Sequence, residues 1–317
     1  MKPVGRLFHF TSTGLFCPAQ NFFIDPSRKV PVAVISHAHG DHALPGHELI
    51  YTTRATRLLM EERFGPKLRA DFREVEFGRP FFLGDVKITF FPAGHILGSA
   101  QILFEFDGER YLYTGDFKVQ HDPTCEKFHP VACDYLITET TFAHPDYSHP
   151  SPLDELSNLL NTKSHLVIGA YAVGKAQRIT RLIHELAPDR CIHVHPLISG
   201  YHRVYEENGV KLGNWQPYSR SRFLEDTSNV LLLPPSVFSR YDRHYGAKKV
   251  FATGWKQSFY KCDHVLTISD HADWNDLINV IENCGAHTIF TLHGDGTSVK
   301  DKFSGTGKVI EMLEGPR

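Results

Sequence analysis

The stretch VAVISHAHGDHALPGH, Val32 to His47, holds four histidines and one carboxylate in sixteen residues. His37, His39, Asp41 and His42 fall within six of them, directly after an apolar, β-branched run. Protonated imidazoles repel one another and buried carboxylates need a counter-charge, so such crowding calls for a cation. Imidazole and carboxylate are common ligands of Zn²⁺ and related divalent ions. Four candidate ligands exceed what one tetrahedral centre with an open position takes, and two metals sharing a bridging group is the simpler arrangement. The competing reading, a chance surface cluster, fits poorly with a motif that follows an apolar strand. His47 lies outside the spacing and reads as an ordinary polar residue.

Composition sets few limits beyond this. The chain has 317 residues, 41% hydrophobic and 22% charged, as expected of a soluble globular protein with one large domain or two. No apolar run approaches the roughly 20 residues of a membrane span, and Met1 to Phe10 lacks an apolar targeting segment. No membrane association and a cytoplasmic location are therefore expected. Cys17, Cys125, Cys133, Cys191, Cys262 and Cys284 form no CxxC pair and read as reduced thiols, mostly core residues. The formal net charge of −2 argues against a uniformly basic nucleic-acid binder but hides an asymmetry. From Lys163 to Lys261 there are 15 Lys+Arg and 7 Asp+Glu, a local charge of +8, while the rest of the chain carries −10. A basic module facing a polyanion suits that pattern; a solvated Lys/Arg-rich surface is the alternative.

The first half reads as short strands, NFFIDP, VAVIS, VKITFFPAG, AQILFEF, RYLYTGD and DYLITET, closed by Gly, Pro or Asp. A helix is expected over Arg54 to Phe64, where Ala55, Leu58, Leu59 and Phe64 recur at near-helical spacing. The same texture returns near the end as the strand HVLTIS, the helix DWNDLINVIENCG stopped by Gly285, and the strand HTIFTLHGD. Between them HLVIGAYAVGKAQRITRLIHELAP, IHVHPLI, NVLLLPP and KKVFATGW alternate strand with helix or loop and suggest a parallel α/β unit. The expected organisation is a first domain over 1–158 and 262–317, with a second domain, 159–261, inserted into it. Further ligand candidates stand at strand ends: His95 after ITFFPAG, Asp116 after YLYTG and His293 after TIFTL.

With these residues in hand, the chain resembles the metallo-β-lactamase-fold hydrolases of the β-CASP nuclease group. The resemblance covers nearly the whole chain and rests on seven ordered motifs: FFIDP, HAHGDH, AGHILGSAQ, YTGDF, ITETTF, ISDHADW and TLHGD. TSTGLFCP, HDPTC and GKAQR resemble the bacterial ligase-associated DNA exonucleases, also described as mRNA 3′-end-processing-factor-like. The resemblance implies an α/β class, an αββα sandwich carrying a short β-CASP-like insertion. It implies two divalent metal ions, Zn²⁺ first and Mn²⁺ as the alternative. His37, His39 and His95 would hold one, Asp41, His42 and His293 the other, with Asp116 bridging. Asp25 would orient the ligand loop, since a ligating histidine needs a partner for its other ring nitrogen. Glu139 and His271 match two β-CASP motifs and imply a proton relay beside the leaving group; a structural hydrogen bond is the plainer role for Glu139. Asp41, Glu139 and His271 are thus the expected catalytic set. His293 matches a position that DNA-specific members often replace, which resembles the RNA-cleaving branch.

The function implied is a metal-dependent phosphodiesterase, an exonuclease on single-stranded DNA ends in repair with 5′ to 3′ polarity, or else an RNA-processing ribonuclease. Metal-bound water ionises near pH 7 instead of about 15.7, which makes such hydrolysis accessible. Single-stranded nucleic acid, DNA before RNA, is the expected partner, and the resemblance adds a DNA ligase or helicase. Gly174, Lys175 and Arg178 open a helix after a glycine turn and are expected to seat a phosphate. YHRVY, YSRSRF and FSRYDRHY mix aromatic and basic residues as strand-stacking surfaces do, although Phe223 and Phe238 are expected in the core. A small-molecule hydrolase of the same fold would lack the insertion and the Glu139/His271 pair. A non-catalytic nucleic-acid scaffold would be expected to lose metal ligands, and all seven positions are filled here.

Overall fold

The computed structural model describes residues 1–161, 164–241 and 246–313. The chain divides into two compact units: Met1–His121 with Cys125–Ser148 and His271–Arg317, and Asp122–Thr124 with His149–Asp270. Residues 242–245 of the FSRYDRHY run lie outside the described residues.

The first unit is built on two seven-stranded sheets. One runs in chain order from Lys2–Val4 to Asp71–Glu74. The other has the spatial order Val309–Met312, Thr288–Leu292, Tyr135–Glu139, Glu109–Tyr113, Ala100–Phe106, Val86–Pro92 and Phe81–Leu83. Strand alternation explains the layering, because successive side chains leave a strand on opposite faces. Ile102, Phe104, Tyr111 and Tyr113 join Val4, Phe8, Phe22 and Val34 in one core cluster. The intervening Leu103 and Leu112 join Leu277, Ile281 and Val299 of the helices Trp274–Asn283 and Thr297–Lys302 in another. The first core is aromatic: Phe104 meets Phe8 edge-on at 5.0 Å and stacks on Phe22 at 5.9 Å, geometries favoured by the ring quadrupole. Helix Arg54–Phe64 has the span its spacing foretells. The Thr53 hydroxyl caps it by accepting from Thr56 N and donating to Gly98 O, which ties the helix to the AGHILGSAQ loop.

The second unit carries a six-stranded sheet in the order Trp215–Pro217, Ile192–Val194, Val230–Leu233, Leu166–Gly169, Lys248–Thr253 and His264–Thr267. Every pairing in it is parallel. The strand from HVLTIS therefore belongs to this sheet, not to the first domain where the residue pattern placed it. The helix Pro152–Leu160 lies in the same unit, ahead of the expected start at residue 159. Over His149–Asp270 the balance is 15 Lys+Arg and 11 Asp+Glu, so the basic excess is smaller than the shorter span suggests. Phe223 and Phe238 are core residues.

No helix among the described residues is long and apolar enough to cross a membrane. Cys17, Cys133 and Cys284 are buried, and none of the six cysteines forms a disulfide among the described residues.

Candidate metal centre

The ligand candidates converge because each follows the carboxyl end of a strand. Val32–Val34 leads to HAHGDH, Val86–Pro92 to His95, Glu109–Tyr113 to Asp116, and Thr288–Leu292 to His293. Glu109–Tyr113, Tyr135–Glu139 and Thr288–Leu292 are parallel neighbours, with Tyr113 opposite Ile137 and Glu139 opposite Leu292. That register sets Asp116, Glu139 and His293 along one edge. Glycine makes two of the turns possible. Gly94 has φ +74°, and a Cβ there would lie 2.2 Å from Lys118 O. Gly115 has φ +54°, and its Cβ would lie 2.9 Å from Ser36. Asp25 and His293 themselves hold left-handed backbone, φ 41° and 56°, a strain of about 1–3 kcal/mol each that typically accompanies functional positions.

His37, His39, His95 and Asp116 form one group with ligand atoms within 4.8 Å of one another. Asp116 Oδ2 lies 3.5 Å from His37 Nε2 and 3.7 Å from His95 Nε2, while Oδ1 lies 3.4 Å from His42 Nε2. His39 Nδ1 is 2.9 Å from His95 Nε2. One carboxylate thus faces two sets of imidazoles through its two oxygens. Asp41 Oδ2 lies 3.8 Å from His42 Nε2, at the rim, with 74% of its side chain exposed. The His293 ring lies 4.9 Å from that of His42.

The fit to metal can be tested on atoms. His37 Nε2 and His42 Nε2 are buried without a hydrogen-bond partner, whereas buried polar nitrogens are normally satisfied. Their opposite ring nitrogens are held from behind: His37 Nδ1 by Ser36 Oγ at 3.0 Å and His42 Nδ1 by Asp25 Oδ2 at 2.8 Å. Two inward nitrogens lacking partners, facing a carboxylate, fit divalent cations. Asp25 also accepts from Ser36 N, Ser36 Oγ and the Tyr113 hydroxyl, so it serves as an anchor behind His42. Ser36 and Tyr113 were not marked by their sequence pattern; only an apolar strand ending in a polar residue hints at them.

Charge follows the geometry. Burial opposes ionisation of Asp116, but the neighbouring His42 and His271 outweigh it and hold the carboxyl well below its ordinary range. Burial likewise opposes charge on His42, yet Asp116 and Asp25 push its pKa well up. His95 is pushed well down by burial and by His271 and His39.

His271 Nδ1 is 2.8 and 2.9 Å from the two oxygens of Glu139 and 4.0 Å from Asp116 Oδ2. Glu139 in turn accepts from Phe117 N at 2.9 Å and Thr141 Oγ1 at 2.5 Å. The carboxylate is fixed by three groups and presents His271 beside the His/Asp cluster that could hold a metal.

The phosphate seat expected at Gly174, Lys175 and Arg178 is corrected. Lys175 is buried, with Nζ 2.7 Å from Ile268 O and 2.9 Å from Asp270 Oδ2. Arg178 is fully buried and spans Asp122, Ser269 O and Asp270. The Gly174 N–H donates to Gln177 Oε1 at 2.7 Å. These groups hold the second unit together, and their donors face its interior.

Comparison with known proteins gives the family. A family profile described as a beta-lactamase superfamily domain matches residues 11–195, and the chain belongs to that superfamily. Similar proteins include a probable DNA ligase of Opitutus terrae, 32% identical over 90% of this chain and 29% of its own length. An RNase J-like protein of Methanocaldococcus jannaschii is 29% identical over 50% of this chain and 44% of its own. A ribonuclease of Thermus thermophilus is 29% identical over 51% and 44%. The chain thus spans between 29% and 44% of the length of these relatives. A crystal structure of a protein of unknown function from Enterococcus faecalis shares the fold, with TM-score 0.59 and 14% identity over 89% of this chain and 79% of that one. The sequence resemblance to the metallo-β-lactamase-fold β-CASP group stands with these matches.

Proposed function

We propose that the chain is a metal-dependent phosphodiesterase acting as a nuclease, an exonuclease on single-stranded DNA ends with 5′ to 3′ polarity. The observation that carries the reading is the Glu139–His271 pair set 4.0 Å from Asp116. A metal cage alone suits many hydrolases; a histidine held by a carboxylate at its edge adds a proton donor for a poor leaving group. His37, His39, His95 and Asp116 would hold one ion, and Asp116, Asp41, His42 and His293 the other, with Zn²⁺ or Mn²⁺ as the ion. Bound there, a divalent ion supplies a water ionised near neutral pH and positive charge against the phosphate. Asp25 fixes the His42 tautomer through Nδ1. Glu139 holds His271 Nδ1, so donation to the leaving oxygen falls to Nε2, a step typically worth about 10²–10⁴-fold.

An RNA-processing role is the second reading, favoured by His293 and by relatives named as ribonucleases. Association with a DNA ligase is supported by the relative named as one, in which this chain matches 29% of the length. A cytoplasmic location belongs to the same reading. The test labels each end of single-stranded DNA and RNA and follows the products with Zn²⁺ and with Mn²⁺. Ordered loss of the 5′ label from DNA is expected. Both labels intact on both strands with every metal would sink the proposal, as would full activity in Asp116→Asn and His39→Ala.

A further inference from the structure

The parallel sheet of the second unit has a topological switch point. From Leu166–Gly169 the chain passes to Ile192–Val194 and Trp215–Pro217 on one side. It then returns through Val230–Leu233 and continues to Lys248–Thr253 and His264–Thr267 on the other side. Leu166–Gly169 and Lys248–Thr253 are neighbours, Gly169 opposite Phe251, and their connections leave in opposite directions. The crevice beyond the carboxyl ends of two such strands is where open α/β sheets take ligands.

The residues on those two connections are unusual for a surface. Tyr171, two positions past the first strand, is 55% exposed; on the second connection Trp255 is 39% and Phe259 90% exposed. They make up three of the four exposed aromatics among the described residues, the other being Phe82. Single exposed apolar residues are ordinary, but three of them here fall on the two connections that leave adjacent strands at one switch point. The second connection is also anchored: Tyr260 packs on Phe251 at 4.5 Å and the Ser258 hydroxyl bonds Tyr260 N and O. Lys256 follows Trp255 and Lys261 follows Tyr260 in the chain, and both lysines are exposed, as is the nearest acid after them, Asp263. Planar rings alternating with cations along one connection suit the bases and phosphates of a single strand.

We propose that Tyr171, Trp255 and Phe259 form a base-stacking platform for single-stranded nucleic acid at this switch point, with Lys256 and Lys261 contacting phosphate. This rests on the nuclease reading for its biological use but not for its test. The full chain is titrated, with chelator present, against a fluorescent oligo-dT 12-mer and an abasic strand of equal length. Wild type prefers oligo-dT. Phe259→Ala weakens oligo-dT roughly tenfold and adding Tyr171→Ala roughly a hundredfold, since each base loses its stacking partner; abasic binding is unchanged. Both side chains are largely exposed, so the melting temperature stays put. Unchanged oligo-dT affinity in the double variant overturns the platform, as does equal loss on both strands. Hydrolysis of bis(p-nitrophenyl) phosphate with Zn²⁺ or Mn²⁺ separates the two ideas. Wild-type turnover that persists in the variants locates the effect in strand binding. No wild-type turnover beside a base-dependent affinity removes the nuclease reading and keeps the platform.

Discussion

Replacing Arg178 by alanine gives the sharpest distinction between a residue that touches substrate and one that holds the fold. Its guanidinium is fully buried, donates to Ser269 O, and meets Asp122 Oδ2 at 3.3 Å and Asp270 Oδ1 at 3.5 Å. Alanine removes a charged donor from a buried carbonyl, a loss of about 1.5–3 kcal/mol. It also leaves Asp122 buried without this cation, while Asp270 keeps Lys175 at 2.9 Å. Breaking one side of a buried ion pair typically costs about 3–5 kcal/mol, and that figure already contains the hydrogen-bond loss. The expected drop in melting temperature is on the order of 10 °C. Arg178→Lys keeps a charge but not the fork and should recover only part of it. The assay is thermal unfolding followed by circular dichroism, alongside oligonucleotide affinity well below the transition. A variant that melts within about 2 °C of wild type yet binds strands poorly would refute the argument and restore Arg178 as a phosphate contact.

Asp25→Asn removes an acceptor behind His42 and should weaken metal binding by roughly 10–100-fold in a chelator competition, with the unloaded chain still folded. Glu139→Gln and His271→Asn should each lower strand cleavage by about 10²–10⁴-fold while metal affinity by calorimetry stays near wild type. Gly94→Ala forces a Cβ to within 2.2 Å of a carbonyl oxygen and should reduce both melting temperature and metal affinity. Asp276 has its pKa pushed up to about 6 by burial and by Asp273. The folded chain therefore binds the proton more tightly than the unfolded one, and stability falls as pH rises from about 4 to 6. Asp276→Asn should raise the melting temperature at pH 7 and leave it unchanged near pH 4.

Part of this molecule can be read directly from its residues, and the reason is local. HAHGDH announces its chemistry because the ligand types sit beside one another, and Arg54–Phe64 declares itself through its own spacing. His95, Asp116 and His293 are legible one step less directly, as polar residues terminating apolar strands. What escaped depends on pairing across distance. Lys175 and Arg178 look like an open phosphate seat until Asp270 and Asp122 arrive from remote stretches. The HVLTIS strand has no residue-level mark of which sheet it joins; its hydrogen bonds to Lys248–Thr253 decide that. The local charge of +8 overstates the exposed cations for the same reason. Lys175, Arg178, Arg190 and Lys249 are buried, so these cations serve the fold and add little to a surface field.

The strand Thr288–Leu292 lies between Tyr135–Glu139 and Val309–Met312, and it delivers His293. Synthesis must therefore pass the whole insertion before that sheet can close and the His293 ring can reach its place 4.9 Å from that of His42. A chain halted before residue 288 carries HAHGDH, His95, Asp116, Glu139 and His271, yet lacks an inner strand of the sheet that presents them. Pairing over such a separation forms late in folding. A fragment or nascent chain ending before residue 288 thus holds most of the candidate site residues without an inner strand of their sheet.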